Sequence, residues 1–332
     1  MGPPLPCNSA SGPGREAPRR RRLTAGRALP RSRASGQGER PMYVVAGVSG
    51  QTGSVVAFSL LAAGKPVRVI VRSEDKGRAF KERGAEVAVL SLEDRDALAA
   101  ALRGATGAYL LVPPPGPEVA GIIARGHRYI DGFAAALKQS PVDHVVLLSS
   151  VGAQHPDGTG PIAMLNYGER TLGALPGIRF TFLRAAYFLE NLGGLLGAVQ
   201  HAGILPALSN PTHAFPMVAA QDIGEAAAQA LLHPPAQSQV IELAGPAEYS
   251  FTEVAAAFSQ QLGKTINVAP VPPDGIVPAL QQSGMGAEMA GLYREMMLAI
   301  DSGRVAFTGG AARHVRGKVP LSQFIAQLLG KP

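Results

Sequence analysis

The sequence predicts an α/β protein, a doubly wound parallel sheet with a smaller C-terminal α/β substrate lobe. Three observations carry this. Short β-branched apolar runs alternate with helix-patterned stretches from residue 42 to about residue 183, as in parallel strands covered on both faces. A glycine cluster separates the first run from the first helical stretch. After Glu190 the alternation gives way to an uncharged, loop-rich segment.

The elements follow in order. Residues 42–48 (MYVVAGV) form a first strand, and 54–63 an apolar helical stretch. Residues 67–71 (VRVIV) give a second strand, 75–83 a charged helix, 86–90 a third strand and 92–102 a helix with apolar residues at helical spacing. A fourth strand at 108–112 stops at Pro113-Pro114-Pro115, and 119–138 is a long helix. Strands at 144–148 and 180–183 complete the sheet. Asn191 to Gln221 contains no Asp, Glu, Lys or Arg. Gln200, His201, Pro206, Asn210, Pro211 and His213 break it well short of the ~20 apolar residues of a membrane span, so it is expected to line a cleft or an oligomer interface. Helices at 223–232, 252–262, 276–282, 287–302 and 321–329 and strands at 240–243 and 265–268 finish the chain, with Ser250 and Glu253 placed to begin the 252–262 helix. The expected organisation is a leader (1–41), a dinucleotide-binding domain (42–190) and a substrate lobe (191–332) whose elements interleave with the main domain.

Charge is unevenly placed. The 332 residues carry a formal +7. Residues 1–41 hold nine arginines and two acids, which accounts for all of it, leaving 22 bases and 22 acids in the body. A basic balance ordinarily points to nucleic acid or anionic membrane, but here it points only to the leader. The leader has no Ile, Val, Phe, Tyr or Trp and is expected to be disordered. No apolar run follows Arg19–Arg22, against a twin-arginine signal; the composition fits a transit peptide without its amphipathic helix; a nucleic-acid arm fits as well. The favoured reading is that Met42, immediately before the first strand, is the natural start. Cys7, the one cysteine, lies in the leader, so the body has no disulfide, cysteine-ligated zinc or cysteine nucleophile. His201 and His213 lack metal-ligand spacing, and no metal is expected. With no Trp and few aromatics, a stacking platform for single strands is not expected. The body is expected to be cytoplasmic and a monomer or homodimer, with a small-molecule partner and neither nucleic acid nor membrane.

The glycine cluster Gly47-Val48-Ser49-Gly50-Gln51-Thr52-Gly53 carries the chemistry. Between a strand and a helix, Gly47 permits the tight turn, Gly50 lets backbone N–H groups approach a pyrophosphate, and Gly53 lets helix pack on strand. The helix N-terminus adds free donors and positive potential; Ser49, Gln51 and Thr52 are the remaining candidate contacts. About 20 residues on, NAD enzymes carry an acid for the ribose hydroxyls. This chain has Val71-Arg72-Ser73 there. Arg72 can only donate and suits the extra phosphate of NADP, with Ser73 as a second donor; a solvated surface arginine would look the same in sequence. Glu74 and Asp75 could cap the next helix or contact ribose. Leu111, Val112 and Pro113 would lie beside the adenosine ribose and nicotinamide linkage, at the strands' carboxyl ends. NADPH is expected over NADH.

These stretches resemble the NmrA-like group of atypical short-chain dehydrogenases/reductases, which includes NAD(P)H-dependent quinone reductases, azo- and triphenylmethane-dye reductases and redox-sensing regulators. The matching residues are Gly47–Gly53, Val71-Arg72-Ser73, HVVLLSS at 144–150, Phe182-Leu183-Arg184 with Tyr187-Phe188-Leu189-Glu190-Asn191, and the late stretches 249–254 and 261–264. The resemblance implies a Rossmann-type domain with a small C-terminal substrate lobe, and places Tyr187 and Asn191 near the cofactor; Glu190 and Asn191 could instead cap a helix. Most short-chain dehydrogenases use Tyr-x-x-x-Lys, the tyrosine donating a proton that the lysine makes more acidic. Here Tyr167 is followed four residues later by Thr171, and Leu165 stands where many relatives carry a lysine. Tyr167 and Ser149 are the candidate catalytic residues; Ser149, at the fifth strand's end near the nicotinamide, is also a candidate cofactor contact, bonding a substrate oxygen or the carboxamide. Packing and strand-end roles compete with both, as plain surface does for His155 as a proton donor. Quinones and azo dyes accept hydride on an electron-poor π-system, so the protein has mainly to align them. The expected function is an NADPH-dependent reductase of small quinone-like or aromatic acceptors, with an apolar pocket from 185–218. The alternative is a non-catalytic NADP(H)-binding redox sensor. An epimerase or dehydratase is disfavoured by the missing tyrosine–lysine pair.

Overall fold

A computed structural model describes Gly2 and residues 41–116, 120–310 and 312–330. The expectations for the leader, apart from Gly2 and Pro41, and for a helix start at Val119 lie outside the described residues. The first half runs β1 (Met42–Val45), α1 (Gln51–Ala62), β2 (Val67–Val71), α2 (Glu74–Lys81), β3 (Glu86–Val89), α3 (Arg95–Leu102), β4 (Ala105–Leu110), α4 (Ile122–Gln139), β5 (His144–Ser150), α5 (Ala163–Gly173) and β6 (Arg179–Ala185). The second half runs β7 (Tyr187–Phe188), β8 (Ile204–Ala207), β9 (Phe215–Val218), α6 (Ala220–Leu232), β10 (Gln239–Ala244), β11 (Glu248–Tyr249), α7 (Phe251–Leu262), β12 (Asn267–Pro270), α8 (Ile276–Gln282), α9 (Ala287–Asp301), β13 (Arg313–Arg316) and α10 (Leu321–Leu328).

Eight strands form one sheet in the order β13-β10-β6-β5-β4-β1-β2-β3, with every described pairing parallel. The order reverses between β1 and β4, which creates a crevice at the carboxyl ends of these two strands. Both sheet faces are covered. Val45, Val56, Leu60, Val146 and Ile223 belong to the core beneath α1 and α6, and Leu98, Ile130, Phe133, Val145 and Leu147 to the core beneath α3, α4 and α5. That double burial is why the strands read as continuous apolar runs.

Two strands of the main sheet come from beyond residue 190: β10 pairs with β6, and β13 closes the edge against β10. The uncharged 191–221 segment fills a separate core instead. Leu192, Val199, Leu205 and Phe215 pack with Phe251, Phe258 and Met297, around the small sheets β11-β9-β7 and β12-β8. Ser250 and Glu253 close a reciprocal capping box at the start of α7: the Glu253 N–H donates to Ser250 Oγ at 3.2 Å, and the Ser250 N–H to Glu253 Oε2 at 2.8 Å.

The fourth strand differs from expectation in its bounds. β4 begins three residues before the expected Ala108 and ends before Leu111. Ala105 and Gly107 are poor strand formers, but a Cβ at Gly107 would come 2.8 Å from the Tyr43 ring, so a small residue is what this register needs. Among the described residues, no helix is long and apolar enough to cross a membrane.

Far from the carboxyl edge, His144 at the start of β5 is buried. Its Nε2 lies 2.9 Å from Thr181 Oγ1, and its Nδ1 has no hydrogen-bond partner among the described residues. Burial, with Arg179 adding repulsion, lowers its pKa to about 4. The unfolded chain takes up this proton near pH 6.5, while the folded chain resists it down to about 4, so stability falls as pH drops through that window. His144→Gln is expected to flatten this part of the pH profile, as read from thermal midpoints at pH 7 and 4.5. An unchanged profile would show that this histidine does not set it.

Candidate functional site

The crevice is built from backbone. After β1 the chain turns at Gly47 with φ +69°, a conformation that favours glycine. A Cβ at Gly47 would also come 2.5 Å from a Leu111 methyl. The Gly50 N–H donates to the Gly47 carbonyl at 2.9 Å, closing the turn. The first bond of the α1 ladder runs from the Ser54 N–H to the Gly50 carbonyl, so the N–H groups of Gln51, Thr52 and Gly53 precede it. Among the described residues no side chain caps this end, and no acid sits in its first turn, so its positive potential is available to an anion. Ser49, Gly50 and Gln51 are exposed at the tip. Thr52 is buried, with its hydroxyl accepting from Tyr109 at 2.9 Å, so only its N–H faces the turn's chemistry. Gly53 sits so close beneath the Gly47 carbonyl that a Cβ would collide with it.

At the end of β2, Arg72 is exposed and has no hydrogen-bond or ion-pair partner among the described residues. Ser73 is the N-cap residue of α2 without bonding the helix N–H groups. Its hydroxyl instead helps hold the Asp75 carboxyl below its usual range. Glu74 and Asp75 fall in the first turn of α2, where the helix dipole favours them. Leu111 is buried under the glycine turn, and Val112 and Pro113 are half-buried beyond the strand's end.

The two candidate catalytic residues are not brought together. On α5, Met164, Gly168 and Leu172 form the buried stripe. Tyr167 and Glu169 flank it, about 200° apart at 100° per residue. Tyr167 therefore turns toward α4, where its hydroxyl donates to Asp131 at 2.7 Å and its ring stacks on His127. Glu169 turns toward the sheet. The buried Ser149 hydroxyl donates to Glu169 Oε1 at 2.6 Å. Arg184 at the end of β6 makes a two-pronged contact with the same carboxylate at 2.9 and 2.7 Å. Glu242 of β10 lies 3.6 Å from Arg184 and accepts from the Thr308 N–H and hydroxyl at 2.9 and 2.7 Å. Ser149 is thus held inside a buried charged chain.

Ser150 lies on the opposite face and lines a small, partly open cavity of about 40 Å³ with Ala186, Tyr187, Phe215, Met296 and Ile300. The expected 185–218 segment supplies part of its wall; the end of β5, Ile162, α9 and Val305 supply the rest. A more open groove of about 490 Å³ on α9, lined by Gly158, Arg294 and Arg304, has no wall residue from the sheet. Glu190 is a cap: its Oε1 accepts the Ala220 N–H at 2.8 Å at the start of α6, and burial raises its pKa. Asn191 is exposed one residue later, its amide beside the Tyr187 hydroxyl. His155 lies in the loop after β5 and His201 in a short π-helical turn, and no group of metal-binding side chains occurs among the described residues.

A strand–glycine turn–helix at the reversal point of an all-parallel sheet, with a C-terminal lobe closing the same edge, is the arrangement the sequence resemblance implied. Residues 42–299 match the sequence profile of the NmrA-like family. The chain belongs to that family. This NmrA-like chain is 27% identical over 257 residues to an NAD(P)H azoreductase of Xenophilus azovorans, covering 77% of its own length and 86% of the relative's. It is 28% identical over 270 residues to quinone oxidoreductase 2 of Escherichia coli K12, covering 76% and 90%. Its fold matches the triphenylmethane reductase of a Citrobacter species, solved as a complex with NADP(H), at a TM-score of 0.70 and 20% identity, covering 87% and 99%.

Glu169, Glu242 and Tyr293 are site-edge residues that the sequence reading does not single out. Glu242 had a signal: one acid inside the apolar run VIELA demands a buried partner. Arg184 at the end of RFTFLRA gives the same signal. Tyr293 had none, because only the tertiary placement of α9 beside Tyr187 of β7 brings it to the edge.

Proposed function

We propose that this protein is an NADPH-dependent reductase of small quinone-like or aromatic acceptors, acting by direct hydride transfer. The observation that carries the reading is the glycine turn itself, whose space and free N–H groups suit a pyrophosphate and little else. The azoreductase and quinone reductase relatives support the reaction class. The N–H groups of Ser49, Gln51, Thr52 and Gly53 would hold the pyrophosphate, with Gly47 and Gly50 giving it access. Arg72, without a partner among the described residues, would pair with the 2′-phosphate that distinguishes NADPH, assisted by Ser73. Leu111, Val112 and Pro113 would flank the ribose. When bound, the dinucleotide supplies the hydride. The protein's share is alignment and exclusion of water. β5 and β6 stand two and three strands from β1, about 10 and 14 Å at ~4.8 Å per strand, a separation that supports reading the Tyr187 cavity as the end reached by the far half of a dinucleotide. Ser149, fixed by Glu169, would position the β5 end from the opposite face.

The test is NADPH oxidation by the purified protein against a panel of quinones and dyes. Turnover with at least one acceptor is expected. Tight NADPH binding without turnover would replace this reading with the redox-sensor one. Arg72→Asp is expected to raise the Kd for NADPH at least tenfold and leave that for NADH within about threefold, because the charge-assisted bond and its replacement by repulsion act only on the 2′-phosphate. Equal losses in calorimetric titrations would remove Arg72 from the site.

A further inference from the structure

The Tyr187 and Tyr293 hydroxyls lie 2.6 Å apart. Tyr187 follows β6 and lines the small cavity at the sheet's carboxyl edge. Tyr293 comes from α9, 106 residues later. The Tyr187 ring meets Phe215 edge-on at 5.5 Å between centroids. A pair of phenols holds two donor hydrogens, and their mutual bond uses one. The Asn191 amide also approaches the Tyr187 oxygen. If Tyr293 and Asn191 both donate to it, the Tyr187 proton is the one left without an acceptor. A donor left over beside an apolar cavity is costly unless a ligand oxygen completes it.

The geometry points to the Tyr187–Tyr293 pair as the carbonyl-recognition site of this protein: Tyr187 donates a hydrogen bond to an oxygen of the acceptor, and Tyr293 positions Tyr187. Burial pushes the Tyr187 hydroxyl up to about 12, so it stays protonated, and able to donate, throughout the neutral range. Its role is therefore to hold and stabilise an oxygen that gains negative charge, rather than to act as the acid. In the overall reaction the hydride brings two electrons to the quinone ring, water supplies one proton, and the hydroquinone leaves. The pair selects acceptors in which an oxygen takes up the charge. A cationic triarylmethyl dye takes hydride on carbon and needs no such donor. The cavity of about 40 Å³ is far smaller than the ~300–1,000 Å³ of a ligand cleft, so α9, which carries Tyr293, moves outward as the acceptor enters.

This inference rests on the reductase reading, and the experiment separates the two. Steady-state NADPH oxidation is measured on the full chain with 1,4-naphthoquinone and with crystal violet, for wild type, Tyr187→Phe and Tyr293→Phe. Tyr187→Phe is expected to lower kcat/KM for the quinone about 100-fold, the scale of one donor to a developing oxyanion. Tyr293→Phe is expected to lower it about tenfold. Both should leave the dye reaction and the Kd for NADPH within about twofold. Wild-type turnover of the quinone that Tyr187→Phe leaves unchanged would overturn the inference alone, as would equal losses with quinone and dye in both variants, which mark a merely structural role. A wild type that reduces neither acceptor overturns the reductase reading and this inference with it.

Discussion

Replacing Glu169 by alanine is expected to destabilise the fold by about 3–5 kcal/mol. The reason is what the substitution leaves behind. Glu169 and Arg184 side chains are 10% and 9% exposed, and they meet through two short bonds. Without Glu169, Arg184 keeps Glu242 at 3.6 Å and Gln154 at 3.5 Å, contacts too long to replace a two-pronged carboxylate. The Ser149 hydroxyl loses its acceptor as well. The cost is therefore mostly that of stranded groups, and it should shrink when they are removed together. Glu169→Leu with Arg184→Met and Glu242→Gln is expected to recover more than half of the single-variant loss, since the three buried charges go together and none is left stranded. Ser149→Ala removes one bond to a charged acceptor and should cost roughly 1.5–3 kcal/mol. Urea unfolding of the four proteins measures all of this. A Glu169→Ala loss under about 1 kcal/mol would show that the pair is solvated like a surface bridge.

The sheet was legible because its strands are buried on both faces: VRVIV at β2 and HVVLL at β5 cannot satisfy any other arrangement so well. The glycine turn was legible because backbone approach leaves a mark in composition. What escaped was set by contacts between distant segments. β13, Arg313-His314-Val315-Arg316, has no apolar run, since it is an edge strand with only Val315 half-buried. Its membership depends on β10, itself more than fifty residues past β6 in sequence. Tyr167 illustrates a subtler limit. Its spacing in the chain suited a catalytic tyrosine, but two residues along the helix separate it from Glu169, which reaches Ser149, and only the packing of Gly168 against Ile130 and Leu147 fixes that rotation. The lobe's uncharged segment was legible as interior and illegible as shape: Phe215 and Leu205 share a core, yet no periodicity predicts two- and four-residue strands.

Gly53→Ala is expected to raise the Kd for NADPH about 100-fold and to cost roughly 1–3 kcal/mol of stability, the range for forcing volume into a packed position. The added methyl meets backbone, the carbonyls of Gly47 and Ala46, and no rotamer change can relieve it. α1 must withdraw from the turn, taking with it the N–H groups of Gln51, Thr52 and Gly53. Gly50→Ala separates the two effects. Its φ of −100° is ordinary for any residue, and the nearest atom to its new Cβ is the Gly47 carbonyl oxygen at 3.3 Å. Stability should hardly change. Gly50 lies at the exposed tip, however, where a methyl occupies the line along which a phosphate must reach the backbone N–H groups, so NADPH affinity should fall at least tenfold. Calorimetric titration paired with thermal midpoints reads both quantities on each variant. Wild-type affinity in Gly53→Ala would mean that the N–H groups before the α1 ladder do not hold the dinucleotide. Lost stability without lost affinity in Gly50→Ala would mean that the tip is a structural turn and nothing more.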